Sequence, residues 1–362
     1  MTVEWVNGVI DYSGTFLARM ATDGLKYAAA FFGSFAISLL LTPLVREAAR
    51  KAGMVDMPGG RRINAAPIPR GGGLAVFFAF HLTLLLLFCA MGGSFEANFT
   101  LFWYKRFLLA SGVLAAVGLI DDKRGIRPWV KLAGQIVAAL ILYLSGIRLG
   151  GLFVAFPGWL DCLATVLWIV VAVNAFNLID GMDGLAAGLA LIACAGLAGS
   201  LLFMGHTAAT LPYLVLAGAC LGFLRYNFHP ASVFLGDTGS MFLGLCVATM
   251  PLMTGTRKEL AASLGMPLLA MGVPIFDTLL AVWRRSVRSM LPSGLSNVKS
   301  RFRVMQPDKD HLHHRLLRET MNQRTAAVIL YVISAVLVTL GMGGTLLKAR
   351  APGLFLIAFI VA

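Results

Sequence analysis

The sequence predicts an all-α fold, a polytopic integral membrane helical bundle of about ten or eleven transmembrane helices. The first reason is composition: 58% of the 362 residues are hydrophobic and only 13% are charged, about half the charged fraction of an ordinary soluble domain. The second is that long apolar stretches lack charged residues and do not alternate as barrel strands do. A soluble enzyme and a disordered chain are therefore excluded.

The apolar stretches give ten spans, since a helix needs about 20 apolar residues to cross a bilayer. In chain order they are Tyr27–Val45, Leu74–Phe95, Phe107–Ile120, Leu132–Ile147, Cys162–Ile179, two spans within Gly184–Leu224 on either side of Gly205–Thr210, Met241–Thr254, Leu260–Phe276 and Thr325–Leu347. A final apolar run at 353–362 is too short to cross, so an incomplete eleventh span stays open. Residues 1–362 are predicted to form a single transmembrane catalytic domain. Two pairs of small residues predict close helix packing: Gly184-x-x-x-Gly188 and Gly218-x-x-x-Gly222.

The net charge of +13 is explained by the position of the basic residues and does not require nucleic acid. If the ten spans alternate in direction, 21 of the 30 Lys and Arg residues fall on one side, in loops at about 46–73, 121–131, 177–183, 225–240 and 284–324. The positive-inside rule makes this side cytoplasmic. Residues 1–26 are then an extracytoplasmic N-terminal segment.

Polar residues concentrate at the ends of spans on this same side. Asp121 and Asp122 end the third span, and Asp237 lies in a Gly-bounded turn before the eighth. The longest inner loop holds a basic cluster of His311, His313, His314 and Arg315. Four polar residues at the end of the fifth span and just after it are spaced three positions apart, which on a continuous helix places them on one face. They are Asn174, Asn177, Asp180 and Asp183.

This combination predicts magnesium-dependent phosphoryl transfer at the cytoplasmic membrane surface. Carboxylate oxygens are the ligands that Mg²⁺ prefers, with phosphate oxygens completing its shell, and basic side chains stabilise the remaining phosphate charge. Any one of the aspartates could instead be a solvated helix cap. Ionisable residues at membrane depth are also typical of an ion-coupled transporter, but a transporter should place them near the bilayer midplane.

Five motifs in order resemble the polyprenyl-phosphate N-acetylhexosamine-1-phosphate transferase family. They are Val55-Asp-Met-Pro with Ile68-Pro-Arg-Gly-Gly-Gly, Asp121-Asp122, Asn174-x-x-Asn177-x-x-Asp180-Gly-x-Asp183-Gly, Phe234-Leu-Gly-Asp-Thr-Gly-Ser and His311-Leu-His-His. The last motif, preceded by Pro-Asp-Lys, is similar to the WecA/TagO branch, which uses UDP-N-acetylglucosamine. The MraY branch, which uses UDP-MurNAc-pentapeptide, has three consecutive histidines followed by an acidic residue.

The resemblance implies a role for each matching residue. Asp237, with Asp122, would bind Mg²⁺, for which Mn²⁺ could substitute, and Phe234 would stack on uracil. Asp121 would keep the lipid phosphate deprotonated, and Lys123 would contact phosphate. Further residues are implied by position: Asn174, Asn177 and Asp180 at the diphosphate and metal, Asp183 near the nucleoside, His311, His313, His314 and Arg315 on phosphate, and Arg70, with Arg61 and Arg62, on the sugar or lipid phosphate. Asp121, Asp122 and Asp180 are the expected catalytic residues.

The implied reaction moves N-acetylglucosamine-1-phosphate from UDP-N-acetylglucosamine to undecaprenyl phosphate and releases UMP. Its product would begin a cell-envelope glycan such as O-antigen or teichoic acid, in the inner membrane of a bacterium. One-step attack by the lipid phosphate and a covalent aspartyl intermediate both remain open. So do another UDP-N-acetyl sugar, such as UDP-MurNAc-pentapeptide, the more remote transporter, and a homodimer.

Overall fold

The computed structural model describes residues 2–58, 66–91, 100–149, 157–204, 206–253, 271–278 and 322–348. These residues form nine complete helices: α1 (Thr2–Lys51), α2 (Gly73–Ala90), α3 (Leu101–Arg124), α4 (Pro128–Leu144), α5 (Gly158–Ile179), α6 (Leu185–Met204), α7 (Thr207–Asn227), α8 (Gly236–Thr249) and α9 (Gln323–Lys348). A 3-10 turn, Met250–Met253, follows α8. Strands β1 (Val55–Asp56) and β2 (Ile68–Pro69) pair as a short antiparallel ribbon.

Seven segments of the described helices are long and apolar enough to cross a membrane, which confirms the polytopic helical fold. They are Asp23–Lys51, Gly73–Ala90, Leu101–Arg124, Gly158–Ile179, Leu185–Phe203, Ala209–Asn227 and Gln323–Gly343. The division of 184–224 into two helices is also confirmed, by α6 and α7. Most of the ninth predicted span and the run at 353–362 lie outside the described residues, so the total number of spans stays a prediction.

Three predicted boundaries differ from the helices. The helix α1 continues through the predicted N-terminal segment 1–26, and Lys26 pairs with Asp23 one turn earlier at 2.7 Å. The helix α4 begins at Pro128 rather than at residue 132, because proline suits the first position of a helix. The eighth predicted span becomes α8, which starts five residues earlier, at Gly236, and ends in the 3-10 turn.

The helix α8 lies at the centre of the bundle, and its residues from Thr238 to Thr249 are all buried. Glycines allow the neighbouring helices to approach it. A Cβ atom at Gly118 of α3 would lie 2.5 Å from the backbone nitrogen of Thr238, and one at Gly73 of α2 would overlap Gly239. Because side chains are absent at these crossings, the end of α3 and the beginning of α2 touch the first turn of α8.

Both predicted Gly-x-x-x-Gly pairs form close helix contacts. Gly218 and Gly222 of α7 face α1, where a Cβ atom at Gly222 would lie 2.5 Å from the carbonyl oxygen of Phe35. Gly188 of α6 faces the ring of Tyr331 in α9, whose hydroxyl donates to the carbonyl oxygen of Gly184 at 2.7 Å. These contacts anchor α1 and α9 to the α6–α7 pair.

One end of the bundle collects most of the polar connections, and we call it the polar end. It contains the ribbon β1–β2 and the connections at 125–127, 180–184 and 228–235. Backbone bonds join these connections across the bundle: Gly73 donates to the carbonyl of Leu235 at 2.8 Å, and Phe234 donates to that of Pro69 at 2.9 Å. The polar end is therefore a packed set of loops.

Candidate active site

Asp122 caps helix α8 from the end of α3. Its Oδ1 accepts the backbone N–H of Asp237 at 2.9 Å, and its Oδ2 accepts the backbone N–H of Thr238 at 3.1 Å and the Thr238 hydroxyl at 2.8 Å. The first N–H groups of a helix have no partner within the helix, and residue 235, which precedes α8, is a leucine without an acceptor side chain. Asp122 supplies the missing acceptor and thereby fixes the position of Asp237.

Gly236 makes this cap possible. Its φ of 73° lies in the left-handed region that favours glycine. A Cβ atom here would also lie 2.6 Å from Oδ2 of Asp122. The glycine before Asp237 in the sequence motif is therefore required by the fold as well as by the site.

Lys131 lies between two of the predicted site carboxylates. Its ammonium is 2.7 Å from Oδ2 of Asp121 and also pairs with Oδ2 of Asp237. The side chains of Lys131, Asp121 and Asp237 are 19%, 15% and 22% exposed. Oδ1 of Asp121 accepts the backbone N–H of Ile126 at 2.6 Å. Three charged groups from α3, α4 and α8 thus share one mostly buried cluster.

Sequence reasoning missed Lys131 and assigned phosphate contact to Lys123 instead. Lys123 is exposed, so its predicted contact stays a prediction. Lys131 was counted only among the basic residues of the inner loop at 121–131. A signal was present, because a lysine in the first turn of a helix faces the positive end of the helix dipole and needs an acidic partner.

The polar stripe of α5 reaches this cluster through Asn177. Its amide nitrogen lies 3.0 Å from Oδ1 of Asp237 and 2.9 Å from the hydroxyl of Ser240. One turn earlier, Asn174 exchanges hydrogen bonds with Gln135 of α4, at 2.6 and 3.3 Å. Asn174 therefore ties α5 to α4, and Asn177 ties α5 to α8.

The prediction that all four stripe residues share one helix face is wrong. The helix α5 ends at Ile179, with Asp180 as its C-cap, and Asp183 lies beyond it in the turn before α6. Oδ2 of Asp183 is 2.7 Å from Nδ1 of His229 and accepts the backbone N–H of Ala231 at 3.1 Å. His229 is a second residue that sequence reasoning missed. The side chain of Asp183, predicted to lie near the nucleoside, is hydrogen-bonded to the α7–α8 connection.

Electrostatics distinguish Asp180 and Asp237 from ordinary surface carboxylates. Burial raises the pKa of Asp180 well above its usual value, the negative charges of Asp237 and Asp122 raise it further, and Arg70 opposes them. Burial, followed by the hydrogen bond to Asp121, raises the pKa of Asp237 to about 6, although Lys131 lowers it. Burial lowers the pKa of Lys131, but the charges of Asp237 and Asp121 prevail and raise it. Asp180 and Asp122 therefore belong to the same charged cluster as Asp121, Asp237 and Lys131, and the negative charge of its carboxylates is incompletely neutralised.

Arg70 is held beside the site by the β1–β2 ribbon. Its Nε lies 2.9 Å from Oδ1 of Asp56, whose side chain is 5% exposed, while that of Arg70 is 40% exposed. The residues after the ribbon hold Phe234, whose carbonyl accepts the backbone N–H of Gly72 at 2.9 Å. The ribbon therefore positions Arg70, and the residues that follow it hold Phe234 through backbone hydrogen bonds.

Four predicted site residues, His311, His313, His314 and Arg315, lie outside the described residues, as do Arg61 and Arg62. Among the residues that are described, no group of three or more His, Cys, Asp or Glu side chains forms a metal site by itself. The charged residues of the cluster lie at the ends of α3, α5 and α8 and in the first turn of α4, whereas a transporter was expected to place them near the bilayer midplane.

Known proteins are similar to this chain in the region that contains the charged cluster. A model of glycosyl transferase family 4 matches residues 104–255, a range that contains the aspartates of the cluster and Lys131. A Bacillus subtilis protein named as a probable undecaprenyl-phosphate N-acetylglucosaminyl 1-phosphate transferase is 35% identical over 315 residues, 85% of this chain and 82% of its own.

Two further relatives extend the comparison to other bacteria. The decaprenyl-phosphate N-acetylglucosaminephosphotransferase of Mycolicibacterium smegmatis is 35% identical over 353 residues, 88% of this chain and 80% of its own. The Escherichia coli undecaprenyl-phosphate alpha-N-acetylglucosaminyl 1-phosphate transferase is 28% identical over 325 residues, 85% of this chain and 81% of its own. With similarity this extensive, the chain belongs to the polyprenyl-phosphate N-acetylhexosamine-1-phosphate transferase family, in its WecA/TagO-like branch.

Proposed function

We propose that this protein transfers N-acetylglucosamine-1-phosphate from UDP-N-acetylglucosamine to undecaprenyl phosphate, releasing UMP and beginning a cell-envelope glycan. Two findings together support the proposal. Relatives named for this transfer cover at least 85% of the chain. The charged cluster that contains Asp121, Lys131, Asp180 and Asp237 lies within the region matched by the family model. Membership in a transferase family removes the ion-coupled transporter as an alternative.

The site lies at the cytoplasmic face of a bacterial inner membrane in this proposal. The polar end includes the loops at 121–131 and 225–240 and the described part of the loop at 46–73, in which the sequence places basic residues, and positive loops favour the cytoplasmic side. UDP-sugars are cytoplasmic substrates, whereas the polyprenyl tail stays in the bilayer. A site formed by the ends of apolar helices can receive both.

The charges of the cluster fit a divalent cation. Four carboxylates, those of Asp121, Asp122, Asp180 and Asp237, face two cationic side chains, Lys131 and Arg70. The raised pKa of Asp180 is the physical sign of this imbalance. Mg²⁺ is usually held by one or two carboxylates together with substrate phosphates, so two of these carboxylates are sufficient ligands.

Asp237 and Asp180 are the residues that would hold Mg²⁺. Asp122, predicted as a second ligand, accepts backbone N–H groups of α8 with both oxygens, whereas the hydrogen-bond and ion-pair partners of Asp237 are side chains, so we assign Asp122 to positioning. The bound cation, Mg²⁺ or Mn²⁺, would neutralise charge on the diphosphate during the transfer. Lys131 would keep Asp121 and Asp237 close together despite their like charges.

Proton and bond changes can be assigned to the chain's own groups. Asp121, held by Lys131 and the backbone of Ile126, would take the remaining proton from the lipid phosphate. An oxygen of that phosphate then forms a bond to the β-phosphorus of the UDP-sugar. The bond from the β-phosphorus to the bridging oxygen breaks, and UMP leaves with that oxygen and the electron pair.

The engagement of Asp122 favours direct transfer over a covalent aspartyl intermediate on this residue. A nucleophilic carboxylate needs a lone pair directed at phosphorus, whereas Asp122 accepts three hydrogen bonds from α8. Breaking them would release the first turn of α8 and with it Asp237. Direct attack by the lipid phosphate requires no such change.

The test is release of UMP by the purified protein in detergent or nanodiscs, with undecaprenyl phosphate and Mg²⁺. We expect UMP from UDP-N-acetylglucosamine, none after chelation of the metal, and none with UDP-MurNAc-pentapeptide. Release from the pentapeptide nucleotide alone would change the sugar assignment, and no UMP from any UDP-N-acetyl sugar would contradict the proposal. An Asp237→Asn variant with full activity would remove the metal assignment.

A further inference from the structure

The connection between α7 and α8, residues 228–235, is fixed by hydrogen bonds along its length and contains Phe234 two residues before α8. At its start, Asn227 donates to the carbonyl of Val233 at 2.9 Å and Ser232 donates to that of Tyr226 at 2.8 Å. At its end, Phe234 is bonded to the ribbon residue Pro69. The middle of the connection contains His229 and Ala231, which are bonded to Asp183.

Asp183 holds this middle part with one carboxylate oxygen. Oδ2 is 2.7 Å from Nδ1 of His229 and 3.1 Å from the backbone nitrogen of Ala231. The Asp183 side chain is 11% exposed and that of His229 is 33% exposed. A carboxylate at this distance requires a proton on Nδ1, because two acceptors cannot share a hydrogen bond. The tautomer and the orientation of the imidazole are therefore set by Asp183.

The beginning of α9 supports both partners. Arg324 donates from Nε to the carbonyl oxygen of His229 at 2.9 Å, and the side-chain oxygen of Gln323 accepts the backbone N–H of Asp183 at 3.3 Å. The pair thus joins the α5–α6 turn, the α7–α8 connection and α9. The same turn carries Asp180, and the same connection carries Phe234.

We propose that Asp183 and His229 form a positioning pair that holds the α7–α8 connection in the geometry needed to bind the nucleotide. This rests on the proposed function and on the contact of Phe234 with uracil that the family resemblance implies. Asp183 then acts through His229 and the backbone of Ala231, and direct contact with the nucleoside is not its role. Loss of the pair should weaken binding of the UDP-sugar more than it slows transfer or weakens binding of the lipid.

Three substitutions at His229 separate the hydrogen bond from the ring. In His229→Asn the amide nitrogen occupies the place of Nδ1 and keeps the donor, whereas His229→Gln moves the donor to the place of Nε2 and His229→Ala removes it. We expect the KM for UDP-N-acetylglucosamine to rise about tenfold in the Ala and Gln variants and to stay within about twofold in Asn. The kcat and the KM for undecaprenyl phosphate should change by about twofold or less. His206→Ala, at the opposite end of α7, is the matched control.

A double-mutant cycle tests whether Asp183 acts through His229. If it does, Asp183→Ala combined with His229→Ala should raise the KM by little more than Asp183→Ala alone, because Asp183→Ala already removes the contact with His229 as well as that with Ala231. Multiplication of the two effects would assign Asp183 to direct nucleotide contact and overturn the proposal. It would also be overturned if His229→Asn were as defective as His229→Ala, or if His229→Ala kept the wild-type KM.

Hydrogen exchange provides a readout that does not depend on the reaction. The backbone amides of Ala231, Ser232 and Phe234 are all bonded in the structure, so they should exchange faster in His229→Ala and at the wild-type rate in His229→Asn. Unchanged exchange in His229→Ala would refute the positioning role even in an inactive protein. Normal exchange behaviour together with no UMP release by the wild type would instead count against the proposed function alone.

Discussion

Replacing Lys131 by methionine removes the cation that lies between Asp121 and Asp237 while keeping the length of the side chain. The three side chains are at most 22% exposed, so the two carboxylates would be left facing each other in a mostly buried site. Removing one partner of a buried ion pair costs about 3 to 5 kcal/mol. The lower figure applies to the free energy of unfolding at this partial exposure.

We expect kcat/KM for UMP release to fall about 100-fold in Lys131→Met, because losing one electrostatic group of an active site typically costs about 100-fold to 1,000-fold. Lys131→Arg should retain more activity, because it keeps the charge, and Arg124→Met, which removes an exposed charge at the same end, should stay within about twofold. Since Lys131 lowers the pKa of Asp237, the acidic limb of the pH–rate profile should also move to higher pH in Lys131→Met.

The reasoning would be refuted if Lys131→Met kept more than about half of the wild-type kcat/KM with an unchanged pH profile. Lys131 would then be an ordinary topogenic charge. An equal loss in Arg124→Met would show that net charge at the polar end matters rather than the contact with Asp121 and Asp237. Thermal unfolding of each variant in the same detergent identifies any loss that comes from misfolding.

Three further predictions concern the first turn of α8. Asp122→Asn should lower both activity and thermal stability, since an amide is a weaker cap for helix N–H groups. Asp237→Asn should lower activity without loss of stability, because Lys131 stays paired with Asp121; unfolding temperature and UMP release distinguish the two variants. Gly236→Ala should cost about 2 kcal/mol or more of stability, because its Cβ would meet Asp122 at positive φ. The control Gly112→Ala, whose Cβ meets nothing within 4 Å, should be neutral or stabilising. The pKa of Asp237 is raised from 3.8 to about 6, so without metal its contribution to stability falls as pH rises across that interval. Mg²⁺ should consequently raise the unfolding temperature more at about pH 7.5 than at about pH 5.

Hydropathy was sufficient to predict the seven described segments that are long and apolar enough to cross the bilayer, but not the partners of their polar side chains. The division into α6 and α7 was predictable because each half is apolar along its own length, a local property. The end of α5 was not, since three-residue spacing cannot distinguish Asp180, which caps the helix, from Asp183, which lies in the following turn. Helix periodicity indicates a shared face only while the helix continues.

The predicted site residues Asp121, Asn177 and Asp237 do come together, whereas Lys131 and His229 were found only in the structure. Lys131 is 106 positions from Asp237 in the chain, and its partner depends on how closely α3 and α4 approach α8. That approach depends on glycine contacts such as Gly118 with Thr238. The position of Lys131 in the first turn of a helix indicates that it needs an acidic partner, but charge patterns along one chain carry no information on such distances and do not identify that partner.

The cap on α8 also explains how phosphate must be recognised at this end of the protein. The segment Gly236-Asp-Thr-Gly239 has the small residues and free helix N-terminus that bind phosphate in other proteins. Here the N–H groups of residues 237 and 238 are already bonded to Asp122, so they are not available to an anion. Among the described residues, phosphate binding at this turn is therefore left to cations, namely Lys131, Arg70 and the metal of the proposed function. A carboxylate that occupies the helix N-terminus makes a metal-dependent site more favourable than a glycine-rich phosphate loop.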